Sequence, residues 1–250
     1  MDTTKILSKV PELTMIFWVV KILATTLGET AGDALSMSMG LGYLASTGVF
    51  LGLFGITLWL QLRARRFSAT LYWSCMIATT TLGTTLADFA DRSLGIGYAE
   101  GVSLLLSLVL LSLFIWHRTL GSVSVNSLDS LKAQGFYWVT IMFSQTLGTA
   151  LGDWTADSAG LGYSGSAVIF ASLLGVIALA YFFTRLSRTL LFWAAFVLTR
   201  PLGAVVGDFL DKPVSSGGLE LSHFSASATL IAIIVICLLF FRQRAAAQAH

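Results

Sequence analysis

The chain has 250 residues, of which 56% are hydrophobic and only 11% charged, with a net charge of +2 and a mean hydropathy of +0.81. A soluble domain usually carries about 25% charged residues. That deficit sets aside an ordinary soluble globular protein and points to an all-α membrane protein whose main partner is the lipid bilayer.

Residues 1–11 are polar, carry Lys5 and Lys9, and lack an apolar core followed by a small-residue cleavage site. The first spanning helix, expected at about 13–36, therefore serves as its own insertion signal. It contains Lys21 and the stretch "TTLGETAGD", Thr25 to Asp33, with two carboxylates, Glu29 and Asp33, where a bilayer tolerates them least. A Gly-x-Gly-Tyr turn, Gly40 to Tyr43, leads into an uncharged span at about 44–62. The same order then returns three times, with spans expected at 68–91 and 99–117, 136–157 and 163–184, and 190–211 and 222–241. About 20 residues cross a 30 Å hydrocarbon core, so each span suffices.

The four copies align without gaps over "FWVVKILATTLGETAGD", "YWSCMIATTTLGTTLAD", "YWVTIMFSQTLGTALGD" and "FWAAFVLTRPLGAVVGD". Trp18, Trp73, Trp138 and Trp193 stand ten residues before Gly28, Gly83, Gly148 and Gly203, and Asp33, Asp88, Asp153 and Asp208 stand five residues after those glycines. The repeats cover about 13–62, 68–117, 136–184 and 190–241, with a polar linker at 118–135 between halves, and the whole of 1–250 is read as a single membrane domain. Eight spans in four tandem pairs make every repeat enter from the same side. The copies are then pseudo-symmetric about the membrane normal, and equivalent residues share a depth. Eleven of the 15 Lys and Arg residues fall at the termini and in the turns between repeats, which places both termini in the cytoplasm.

This pattern resembles a family of bacterial integral membrane proteins defined by a tandem repeat of unknown function, with four copies per chain, two spans per copy and a characteristic Trp in each. The resemblance runs from Phe17 to Phe240. It implies the fold, the topology and a bacterial inner (cytoplasmic) membrane location, and it implies no activity.

The residues themselves suggest a layer of acids. Asp33, Asp88, Asp153 and Asp208 should form one slab near the outer ends of the odd-numbered spans, with Glu29 deeper and Asp91, Asp157 and Asp211 as auxiliaries. Gly28/Gly32, Gly148/Gly152, Gly203/Gly207 and Gly83/Ala87 give each odd span a small-residue face for close helix contact, so the Asp beside it should lie near the seam. The spans supply only Lys21 and Arg200 as counter-charges, with Arg92 and Lys212 at the rim. The excess negative charge invites a proton or a hard cation such as Mn²⁺, Mg²⁺ or Ca²⁺, with Asp33, Asp88, Asp153 and Asp208 as candidate metal ligands. Glu29 is expected to meet Arg200 across the bundle. Thr25, Thr26, Thr80, Thr81, Gln145, Thr146 and Thr199 extend the polar face inward, as a path or as helix-to-helix hydrogen bonds. The Trp layer, about 22 Å away along the helix, is expected to anchor the other interface as an aromatic belt.

Two functions fit: a transporter or channel for a small cation, either a hard divalent metal ion or a proton-coupled solute, or a non-transporting membrane sensor or partner with a structural Asp layer. No catalytic or nucleotide-binding motif marks an enzyme, and no nucleic acid is expected as a partner. The Gly-x-Gly-Tyr turns are too short for a potassium filter. His117, His223 and His250 lack partners at metal-ligand spacing in sequence. Cys75 and Cys237 read as reduced packing residues.

Overall fold

A computed structural model of the chain describes residues 9–125, 128 and 130–246; Lys5 and His250 lie outside them. It is all-α, with eight long helices: α1 (Met15–Asp33), α2 (Gly42–Arg63), α3 (Ala69–Asp88), α4 (Tyr98–Leu120), α5 (Leu131–Asp153), α6 (Gly162–Phe183), α7 (Arg188–Asp211) and α8 (His223–Phe240). Each odd helix opens on a hydroxyl N-cap. Thr14, Ser68, Ser130 and Ser187 accept hydrogen bonds from the backbone N–H groups of Phe17, Leu71, Ala133 and Leu190, which satisfies a donor that the first turn leaves free. The Ser130 cap starts α5 well before its repeat motif, and α4 runs on to Leu120. The linker expected at 118–135 is thus taken up into helix at both ends.

A five-residue π-helical turn extends α1, α3 and α5, at Ala34–Ser38, Phe89–Ser93 and Trp154–Ser158. The Gly-x-Gly pairs follow. Gly40, Gly42, Gly95, Gly97, Gly160 and Gly162 all have φ between +66 and +91°, a region that L side chains enter at a cost. The motif is a tight connection from odd to even helix. The fourth repeat uses a 3₁₀ turn at Val214–Ser216 instead.

The odd helices form a closed inner ring in which α1 packs on α3, α3 on α5, α5 on α7, and α7 back on α1. The even helices stand outside it, each laid on the odd helix of the following repeat: α2 on α3, α4 on α5, α6 on α7, and α8 on α1. The last contact completes the circle. Both terminal segments meet at one end of the bundle, where Pro11 and Ala245 form an antiparallel bridge and Ala246 N–H donates to the Val10 carbonyl at 2.9 Å.

The ring closes on glycine. A Cβ at Gly28 would fall on Thr80, one at Gly83 on the backbone of Gln145 and Thr146, one at Gly148 on Arg200, and one at Gly203 on Thr25. Each glycine thus receives the next repeat's residue three positions before its own glycine. Gly32 meets Thr84, Gly152 meets Ala204 and Gly207 meets Glu29 in the same sense. Small residues let helix backbones approach this closely.

The Trp expectation is corrected. Trp73, Trp138 and Trp193 are buried, and half-buried Trp18 packs against the same core. The aromatic residue before each Trp touches the Trp of the next repeat: Phe17 on Trp73 (5.5 Å between centroids), Tyr72 on Trp138 (5.7 Å), Tyr137 on Trp193 (6.3 Å) and Phe192 on Trp18 (6.0 Å). The result is a closed aromatic collar inside the bundle, pinned by a 2.7 Å hydrogen bond between the Tyr72 and Tyr137 hydroxyls. Helix contact wins over interface anchoring because the aromatic pair sits on the ring-facing side of each odd helix.

The outer faces of the even helices are apolar and exposed, as at Leu44, Phe114, Val168 and Leu239. Six helices are long and apolar enough to cross a membrane: α1 with its π turn, α2, α4, α6, α7 and α8. The other two, α3 and α5, carry Thr79–Thr81, Thr84 and Thr85, and Gln134 and Ser144–Thr146, on buried faces, which dilutes their apolarity. Cys75 is buried and Cys237 half-buried, and both are free thiols.

The seam makes a prediction. Gly203→Ala should lower the melting temperature in detergent, because overpacking a closed contact costs about 1–3 kcal/mol. Gly52→Ala, on the open outer face of α2 with nothing within 4 Å of a new Cβ, should leave it unchanged or raise it. Equal effects in thermal unfolding would refute a glycine-closed ring.

Candidate cation site

The repeats stack their residues in layers along the ring. Above the collar come Lys21, Met76, Ile141 and Phe196, then Thr25, Thr80, Gln145 and Arg200, then Glu29, Thr84, Thr149 and Ala204, and then the four Asp. Glu29 and the four Asp are at most 3% exposed, and Lys21 and Arg200 are 0% exposed.

Arg200 holds the axis. Its Nη2 donates to Glu29 Oε2 at 3.0 Å, to Thr84 Oγ1 at 2.6 Å and to Thr149 Oγ1. Those three acceptors are the equivalent residues of the other three repeats. The fourth equivalent is Ala204, one turn beyond Arg200 on its own helix and too small to compete for the space. The sequence pairs Glu29 with Arg200 but does not mark Thr84 and Thr149 as partners. Repeat alignment alone could have found them, since they occupy the Glu29 position. Arg200 Nε and Nη1, Thr80 Oγ1 and Gln145 Oε1 are buried without a hydrogen-bond partner among the described residues.

Lys21 is buried nearer the collar. Its ammonium donates to Thr199 Oγ1 at 3.3 Å and sits 4.0 Å from the Phe196 ring centroid. The threonines mostly bind backbone. Thr25 Oγ1 reaches the carbonyls of Ile22 (2.8 Å) and, across the ring, Thr199 (3.2 Å). Thr26, Thr81 and Thr146 donate to carbonyls four residues back on their own helices.

Two cations tie the Asp layer together in pairs. Arg92 Nε is 2.8 Å from Asp88, and its Nη2 is 3.6 Å from Asp153. Lys212 Nζ contacts Asp33 and lies 3.2 Å from Asp208 and 4.0 Å from Asp211. Arg92 and Lys212 each stand four residues after their repeat's Asp, where the first and third repeats have Met37 and Asp157. Burial would lower the Lys212 pKa, but the surrounding carboxylates raise it overall above the ordinary lysine value, so the ammonium stays charged. Of the auxiliaries, Asp211 is buried, Asp91 half-buried and Asp157 exposed, so Asp157 stands apart from the cluster.

Carboxylates from the first two repeats come closest together. One carboxylate oxygen from each of Glu29, Asp33 and Asp88 lies within 4.8 Å of the other two, all three residues being buried. Each of the three already meets one protein cation, Arg200, Lys212 and Arg92 respectively, and their oxygens remain close enough together to share a proton or a bound cation. His223, at the start of α8, also comes within reach: its ring, Asp33 and Asp211 present ligand atoms within 4.8 Å of one another. Sequence spacing gives His223 no partners, and the packing of α8 back onto α1 supplies them.

The Glu29–Arg200 contact should show as coupling. Glu29→Gln or Arg200→Gln alone strands a buried charge and should destabilise by roughly 3–5 kcal/mol. The double variant should cost less than the two singles added, as measured by unfolding in detergent. Additive losses would show that the pair does not interact.

The profile of a family described as "Repeat of Unknown Function (DUF347)" matches residues 16–67, 71–122, 136–187 and 191–245. No curated protein and no solved structure matches the chain. The four matched segments coincide with the four helix pairs, each built from one odd and one even helix. With most of its length in four such copies, the chain belongs to the DUF347 repeat family.

Proposed function

We propose that the protein is a carrier or channel for a small cation, either a hard divalent ion such as Mn²⁺, Mg²⁺ or Ca²⁺ or a proton coupled to a solute. In this reading all eight helices span the bacterial inner membrane, both termini are cytoplasmic, and the Asp layer faces outward. The observation that carries it is the buried triad of Glu29, Asp33 and Asp88 oxygens, mutually within 4.8 Å. An all-oxygen cluster suits hard cations. Six buried carboxylates, Glu29, Asp33, Asp88, Asp153, Asp208 and Asp211, face the cations Arg92, Arg200 and Lys212. That negative excess draws cations to the mouth. Asp33, Asp88, Asp153 and Asp208 act as ligands or relays, with Glu29 as the innermost acid. Arg200 fills the axis beside it, so passage requires the Glu29–Arg200 contact to open.

One observation favours a second reading, a membrane sensor or partner protein in which the layer is structural: Arg92 and Lys212 between them already pair with all four Asp. Flux decides between the two. Protein in liposomes loaded with a divalent-ion indicator should admit Mn²⁺, Mg²⁺ or Ca²⁺ or dissipate a pH gradient, and Asp88→Asn should abolish this while the protein still folds. Full activity in single Asn variants at Asp33, Asp88, Asp153 and Asp208 would exclude the layer from transport.

Binding is testable in detergent. Ligand at a hundredfold excess over its dissociation constant stabilises by about 2.7 kcal/mol, so millimolar Mn²⁺, Mg²⁺ or Ca²⁺ should raise the melting temperature. Asp88→Asn should remove the rise, and monovalent salt at equal ionic strength should not reproduce it. No rise with any of the three ions would leave only the proton or the structural role.

A further inference from the structure

The structure assigns a second, mixed nitrogen–oxygen metal site at the far end of the bundle, formed by Asp33, Asp211 and His223, that takes a borderline divalent transition ion such as Zn²⁺ or Co²⁺. For its role it rests on the cation-transport reading, and it extends the class of ion from hard to borderline divalent metals.

Three observations carry it. The ligand atoms of the three residues lie within 4.8 Å of one another. Asp211 is 5% exposed, yet neither of its carboxylate oxygens accepts a hydrogen bond among the described residues. His223 Nε2 is likewise buried without a hydrogen-bond partner, 3.7 Å from Asp211 Oδ2 and 3.9 Å from Asp33 Oδ2. These separations are too long for hydrogen bonds. Atoms bound about 2.1 Å from one ion stand roughly 3.0–3.4 Å apart, so a small closure brings both carboxylates and the ring onto a shared metal.

The outer shell is in place. Ser38 Oγ lies 2.8 Å from His223 Nδ1. With the proton on Nδ1 donated to that hydroxyl, the Nε2 lone pair points at the two carboxylates, which is how an outer partner fixes a metal-binding imidazole. Lys212, which contacts Asp33 and lies 4.0 Å from Asp211, is the tethered cation that the metal displaces. Imidazole favours transition ions over Mg²⁺ and Ca²⁺, which prefer oxygen alone. Asp33 also belongs to the Glu29–Asp33–Asp88 set, so the rim site hands an ion directly to the buried oxygen cluster.

The test is Co²⁺ titration of purified protein, read by its visible d–d bands. The unaltered chain should bind one Co²⁺ in a nitrogen-containing environment. His223→Gln and Asp211→Asn should each weaken binding by roughly 10-fold or more and change the bands, with metal-free melting temperatures reporting the fold. Identical spectra and affinities in both variants would overturn the site. Should either variant fail to fold, protein with His117→Gln and His250→Gln keeps His223 as its only histidine. Cu²⁺ bound to it should then show coupling to one nitrogen in its electron paramagnetic resonance spectrum, and oxygen-only coordination overturns the assignment. Liposome uptake separates this proposal from transport. A His223-dependent Co²⁺ spectrum without uptake keeps the site and removes the carrier. Uptake with unaltered metal preference in His223→Gln, and no spectral change, keeps the carrier and removes the site.

Discussion

The structure depends on the close approach of the odd helices at four glycines. Within a bilayer the apolar tails are as oily as leucine, so burying greasy surface between helices gains little, and association rests on packing and polar contacts. Here every odd helix presents a glycine to a side chain or backbone of the next, and the fourth presents Gly203 to Thr25 of the first. Because that last contact returns to the start, the ring is closed. The collar of Phe17, Tyr72, Tyr137 and Phe192 against the four Trp repeats the same cyclic sense. Two independent kinds of contact thus fix one rotation direction.

Closure creates an axis, and on the axis the repeats stop being equal. A single space lies where the four equivalent positions converge. Arg200 occupies it, Ala204 leaves room, and Glu29, Thr84 and Thr149 take its hydrogen bonds. Glu29 in turn is the only acid in its layer, so the charge of Arg200 finds its partner on the first repeat. A buried pair of this kind adds little net stability over an apolar pair. What it supplies is one charged contact on the axis, joining the first repeat to the fourth.

At the far end the symmetry is twofold. Arg92 and Lys212 come from the second and fourth repeats and reach the third and first. This agrees with a pair of repeats duplicated again, since the glycine intervals of 55, 65 and 55 residues show the same alternation. The arrangement pairs each aspartate with a cation and brings Glu29, Asp33 and Asp88 together in one corner. The candidate site is therefore asymmetric although its four aspartates are not.

The sequence by itself determined the eight helices, their pairing into four repeats and the alignment of glycine, tryptophan and aspartate, because each is a local periodicity written once and copied. It also foresaw Arg200 beside Glu29, since an arginine at that depth needs an acid partner and Glu29 is the acid nearest in depth. Only the tertiary structure decided that each even helix lies on the next repeat, that the tryptophans turn inward, and that Thr84, Thr149 and His223 join the charged residues. Those outcomes depend on which face of one helix meets which face of another, across intervals such as the 51 residues from Thr149 to Arg200 and the 179 from Asp33 to Lys212. That choice is made by ring closure, which no single repeat encodes.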